Sequence, residues 1–186
     1  MRRIALLLAV GLMTVVGCKD KKTDNSNIIT TDYEAPKPTA PISMTDQTDK
    51  QDVAWVDGRH YSVKIMRHAV DSLPMVSNAN GQKYVDNVIR VEVARADSSL
   101  FYSHTFTKSS FASWLNGEYR EKAILQGMRF LEADASALSF IAWLNNPDAG
   151  DDEAVELKLT LDPQRNVDIQ RFSYDDRDDL QKKGEE

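Results

Sequence analysis

Three histidines, His60, His68 and His104, are the side chains best placed to move protons or bind a metal near neutral pH. His60 and His68 are eight positions apart. A regular strand puts both on one face, about 26 Å apart, too far to share an ion. His104 falls in a separate run, where it could meet either histidine or a carboxylate. No HExxH occurs, and no H-x-H pair sits on one strand face. Carboxylates cluster at Asp151, Asp152 and Glu153, and again at Asp175, Asp176, Asp178 and Asp179. Gly150 precedes the first cluster, but the spacing of a calcium-binding hand is missing. Solvated loop and tail charge is the reading these clusters support. The chain has no G-x-S-x-G nucleophile turn and no glycine-rich phosphate loop. Trp55, Trp114, Trp143, Phe130 and Phe140 lie on patterned segments and read as core rather than as a sugar-stacking platform. No catalytic residue, metal site or cofactor is expected.

Cys18 is the single cysteine. It permits no internal disulfide and no multi-cysteine zinc site. Before it, Arg2 and Arg3 form a positive start, and Ile4 to Val16 an apolar run broken by Gly11 and Thr14. This is the pattern of a secretory signal. It is shorter than the roughly 20 apolar residues that span a bilayer. Val15-Val16-Gly17-Cys18 resembles a bacterial lipobox. In such signals the small residue before cysteine admits a peptidase. The thiol takes a diacylglyceryl group through a thioether, and the exposed amine is usually acylated too. The resemblance implies that residues 1–17 are removed and that Cys18 is the lipidation site. One acyl chain binds a membrane marginally, whereas two or more hold stably. The anchor then makes the membrane a partner without a spanning helix. A lipidated Cys18 leaves no thiol for cysteine catalysis.

The 23 basic and 29 acidic residues give a formal net charge of -6, and losing Arg2 and Arg3 makes it more negative. Nucleic acid needs a basic surface, so it is not an expected partner. Flat binding to anionic headgroups is disfavoured for the same reason.

The elements that must position any site begin after a tether. Residues 18–51 read as a lipidated N-terminus and disordered linker, rich in Thr, Asp, Asn and Lys, with Pro36, Pro38 and Pro41. Residues 52–175 read as one globular domain, and 176–186 as an acidic disordered tail. Within the domain, Tyr61, Val63 and Ile65 alternate with polar residues, as do Ile89, Val91 and Val93, and Val155 to Leu161. That period of two predicts strands with one wet face, as in antiparallel sheet. Turn residues at 78–81, 96–99 and 162–166 separate the runs, and 145–150 forms a longer loop. Ser109 or Ser110 could cap a short helix carrying Phe111, Trp114 and Leu115, ended by Asn116-Gly117. A second turn or two over 118–125 closes at Gln126-Gly127, and strand resumes at Met128. The predicted fold is α+β: mostly antiparallel β-sheet with one short helical insert packed on it.

With these blocks in view, the chain resembles a family of uncharacterised lipoproteins common in Bacteroidota, a domain of unknown function. The likeness is carried by Phe106-Thr107-Lys108-Ser109-Ser110-Phe111, by Ala123-Ile124-Leu125-Gln126-Gly127-Met128, and by the Leu138 and Val155 strands. It implies a location in the cell envelope, lipid-anchored at the outer membrane and facing the periplasm or the surface. Asp71-Ser72-Leu73 resembles the O-glycosylation acceptor triplet of those bacteria, with Ser72 as acceptor. The function expected is a non-enzymatic binding or interaction module for an envelope protein or glycan. The alternatives are an accessory subunit of an outer-membrane complex, or a hydrolase of envelope polymers working through His104 and a carboxylate.

Overall fold

Alternating apolar residues become strands here, and the strands build two sheets whose apolar faces meet. The computed structural model describes residues 39–172, apart from the side chain of Asp151. All belong to the unit Pro36–Glu186. The signal, Cys18, the linker up to residue 38 and the tail 176–186 lie outside the described residues.

The first half holds β1 (Gln47–Trp55), β2 (Arg59–Ala69), β3 (Val76–Ser77), β4 (Lys83–Tyr84), β5 (Asn87–Arg95) and β6 (Leu100–Phe106). A 3-10 helix, Lys108–Trp114, and one short α-helix, α1 (Gly117–Lys122), follow. The second half holds β7 (Ile124–Ala133), β8 (Leu138–Asn145), β9 (Val155–Leu161) and β10 (Val167–Arg171). One antiparallel sheet has the order β1-β2-β5-β6, the other β10-β9-β8-β7. Between β2 and β5 the chain makes the small β3–β4 hairpin.

The register explains the core. Val63 faces Val93, and Ile65 faces Val91, so one side of β2 and β5 is a continuous apolar row. In the second sheet Leu138 faces Leu161, Phe140 faces Leu159, and Ala142 faces Leu157. These residues join one buried cluster with Phe106, Phe111, Leu115, Leu125 and Met128. The expectation of one sheet covered by a helix is corrected here. Each sheet is covered chiefly by the other, and the helical insert adds Phe111 and Leu115 at one end.

Four boundaries also differ from expectation. β1 begins at Gln47, inside the stretch read as linker. Its first six residues are exposed on both faces, so no alternation marks them. The helical insert is capped by Thr107 rather than Ser109 or Ser110. Asn116 does not end that helix but starts α1, its side chain accepting the Tyr119 N–H at 2.9 Å. β7 then runs from Ile124 straight through Gln126-Gly127, with register shifts at Leu125/Gly127 and Phe130/Glu132. Gly127 is required by its neighbour, because a Cβ there would collide with the Trp143 ring.

Candidate functional site

A buried acid sits where the two sheets join. Asp86 precedes β5 and is 3% exposed. Its Oδ1 accepts the backbone N–H groups of Asn87 and Leu125, each at 2.8 Å. Its Oδ2 faces the Lys108 ammonium at 3.8 Å. Lys108 in turn donates to the Ala123 carbonyl at 2.8 Å. Asn87, fully buried, donates to the Leu125 carbonyl at 2.8 Å and packs its amide on the Met44 sulfur. Thus the stretches 106–111 and 123–128, apart in sequence, converge on one carboxylate. Burial pushes the Asp86 pKa up, against the pull of the Leu125 and Asn87 N–H groups and of Lys108.

A cleft of about 250 Å³ opens above this pair. Leu73, Pro74, Ala112 and Leu115 give it apolar walls. Thr107, Ser109 and Arg120 add polar groups at its edge. The Thr107 and Ser109 hydroxyls are 2.6 Å apart, and Arg120 Nε donates to the Ala112 carbonyl at 2.8 Å. An apolar hollow with a few convergent polar groups and a perturbed acid has the make-up of a small-ligand site. Lys108 turns one of its three donors to the Ala123 carbonyl and another toward Asp86, which leaves the third for a ligand's acceptor group.

The three histidines are placed apart in their contacts. His60 lines a groove on the outer face of the first sheet. His68 Nδ1 lies 2.8 Å from Asp46 Oδ2, and that hydrogen bond, more than any other effect, lowers the Asp46 pKa. His104 lies on β6 with its ring 4.6 Å from Phe106 and 6.4 Å from Tyr102, centroid to centroid. No hydrogen bond or ion pair joins it to a carboxylate among the described residues. The pairing that a hydrolytic reading requires is therefore not formed there. Among the described residues no three His, Cys, Asp or Glu side chains stand close enough to hold a metal. Ser72 is exposed on a turn in which the Leu73 N–H donates to the Val70 carbonyl at 3.1 Å. Its neighbours Leu73 and Pro74 line the cleft. Cys18 lies outside the described residues.

The residue types of Asp86, Asn87 and Lys108 do not mark them in the sequence. The signal was present in Val85-Asp86-Asn87-Val88-Ile89, where two polar residues interrupt an apolar run at a strand's start. Such a pair is either a turn or a buried tie, and only the fold decides.

No curated protein matches this chain. A family model does match residues 27–169, a span that takes in nine strands whole, most of β10, and both sides of the cleft. Because that match covers most of the chain, the protein belongs to the family described as a domain of unknown function, DUF4738.

Proposed function

We propose that this protein is a lipid-anchored, non-enzymatic binding module of a bacterial cell envelope, of the outer membrane of Bacteroidota. The Asp86–Lys108 cleft carries the binding half of the reading. It unites apolar walls, unused donors and a buried carboxylate in one small hollow. The leader and Cys18 support the anchoring half. A ligand suited to the cleft has a small apolar body and an acceptor group that reaches Lys108.

Two measurements test the two halves separately. Mass spectrometry of the mature N-terminus should find residue 18 first and acylated. An unmodified Cys18, or another first residue, rejects the anchor. Affinity capture from solubilised envelopes, with a glycan array beside it, should return a partner that Lys108→Met loses. No partner in either assay rejects the binding module.

A second reading, an accessory subunit of an outer-membrane complex, is favoured by one observation. β6 ends the first sheet with an uncharged sequence, Leu100–Phe106, whose Leu100 is 55% exposed. Uncharged free edges are templates for strand addition. Co-purification with an outer-membrane protein, lost on Ser103→Pro, is the expected result for that reading.

A further inference from the structure

A second concave surface lies on the outer face of the first sheet and shares no lining residue with the cleft. Alternate residues of β1, β2 and β5 point there. They line a groove of about 590 Å³, within the range of small-ligand sites. The register fixes its rows. Lys50 of β1 stands opposite Lys64 of β2, and Lys64 stands opposite Glu92 of β5. In the next row Asp52 stands opposite Ser62. His60 lies at the end of the groove nearest the β1–β2 turn.

The charge arrangement is unfavourable without a ligand. Facing residues of an antiparallel pair have Cβ atoms about 4.5–5.5 Å apart, and like charges at that spacing destabilise the pair. The carboxylate best placed to relieve Lys64 is Glu92. It bonds instead to Arg90 of its own strand, Oε1 to Nε at 2.8 Å. Neither Lys50 nor Lys64 makes an ion pair among the described residues. Two lysines at facing positions therefore line this hollow without an ion pair among the described residues, in a chain with a formal net charge of -6.

Beside them are groups of the opposite use. Asp52 accepts hydrogen bonds, and Ser62 and His60 both donate and accept. A bare phosphate ion would gain from the lysines but be repelled by Asp52. A flat anionic membrane would meet the acidic remainder of the surface. A ligand with an anionic group and several hydroxyls satisfies both halves of the lining. We propose that this groove binds an acidic saccharide. The sugar's carboxylate or phosphate ester lies between Lys50 and Lys64, and its hydroxyls bond Asp52, Ser62 and His60. The site depends neither on a lipid at Cys18 nor on the cleft at Asp86, so its failure leaves the proposed function standing.

Calorimetric titration of the full-length chain in detergent tests it. The probes are a uronic-acid trisaccharide, a phosphorylated disaccharide, their neutral parents and inorganic phosphate. At least one acidic sugar should bind saturably, and more weakly as salt rises. The pair Lys50→Gln/Lys64→Gln should weaken that binding at least about tenfold, the loss of one charge-assisted bond or more. Lys50 is exposed and Lys64 half-buried on the outer face of the sheet, so the variant should unfold at the wild-type temperature or above. The proposal is overturned if neither acidic sugar binds, or if neutral parents or inorganic phosphate bind as tightly. Wild-type affinity in the double variant overturns it too.

Discussion

Replacing Asp86 tests whether its carboxylate holds the junction beneath the cleft. The side chain is almost wholly buried, and its Oδ1 takes two backbone N–H bonds at 2.8 Å. A hydrogen bond to a charged group contributes about 1.5–3 kcal/mol. The full sum is not reached, because burial already penalises the charge, as the raised pKa shows. Asp86→Ala should therefore lower the unfolding free energy by about 3–4 kcal/mol. Asp86→Asn keeps an oxygen for both donors and should cost about 1 kcal/mol. Lys108→Met leaves the acid without its cation. Lys108 is 18% exposed and 3.8 Å away, so the loss should be about 2 kcal/mol rather than the larger figure for a sealed pair. The pH dependence gives a sharper test. The folded pKa of Asp86 lies above the unfolded value of 3.8. Stability from this group is therefore full below pH 3.8 and is lost as pH rises through the folded pKa. Measured against Asp86→Asn, the wild type should gain stability on acidification and lose it toward neutrality. Urea unfolding between about pH 4 and 7, followed by tryptophan fluorescence, reads both effects. An Asn variant as unstable as the Ala variant would refute the reasoning. So would a wild-type advantage over Asn that grows with rising pH.

Further substitutions probe the frame around the site. Gly127→Ala drives a methyl into the Trp143 ring and should cost about 1–3 kcal/mol by chemical denaturation; an unchanged midpoint would mean that the ring moves freely aside. Phe111, the buried residue of the 3-10 helix, is fully enclosed, so Phe111→Ala should cost about 3–5 kcal/mol and weaken ligand capture, a pairing that capture assays on the folded variant check. Gly58 has φ +70 in the β1–β2 turn, and Gly58→Val should cost about 1–2 kcal/mol and speed amide exchange in β1.

Strands whose burial alternates were legible in the sequence. β2, β5 and β9 each bury one face against the other sheet, so their apolar residues recur every second position. The first six residues of β1 were not legible that way, because edge positions exposed on both faces leave no apolar signature. Their evidence lay in Asp57-Gly58, whose φ of 58° and 70° form the tight turn that pairs β1 with β2. Asn116-Gly117 is ambiguous by chemistry, since asparagine caps helix starts and Asn-Gly also ends them. The Tyr119 N–H decides for a start. Asp86 was illegible for a different reason. A lone aspartate before a strand usually faces water, and what buries this one lies 39 residues on, at Leu125. The outer groove was hidden likewise, because Lys50 and Lys64 become neighbours only through the register.

Polar ties do something here that the apolar pattern cannot. β7 carries two register shifts, so alternation alone leaves its pairing with β8 and its place beside the first sheet underdetermined. A slip of one residue would exchange its buried and exposed faces. Side chains from outside the second sheet seize its backbone at the first of those shifts. Asp86 holds the Leu125 N–H, Asn87 the Leu125 carbonyl, Lys108 the Ala123 carbonyl, and Arg67 the Gln126 carbonyl at 2.6 Å. Four consecutive positions of chain, 123–126, contain every one of these contacts. Each slip would lose hydrophobic burial and would also orphan several buried polar groups at about 1–3 kcal/mol apiece. The acid beneath the cleft is thus first a register lock for the junction of the two sheets. The lock reaches from the start of β5 to the start of β7, and Lys108, 18% exposed, carries it to the floor of the cleft.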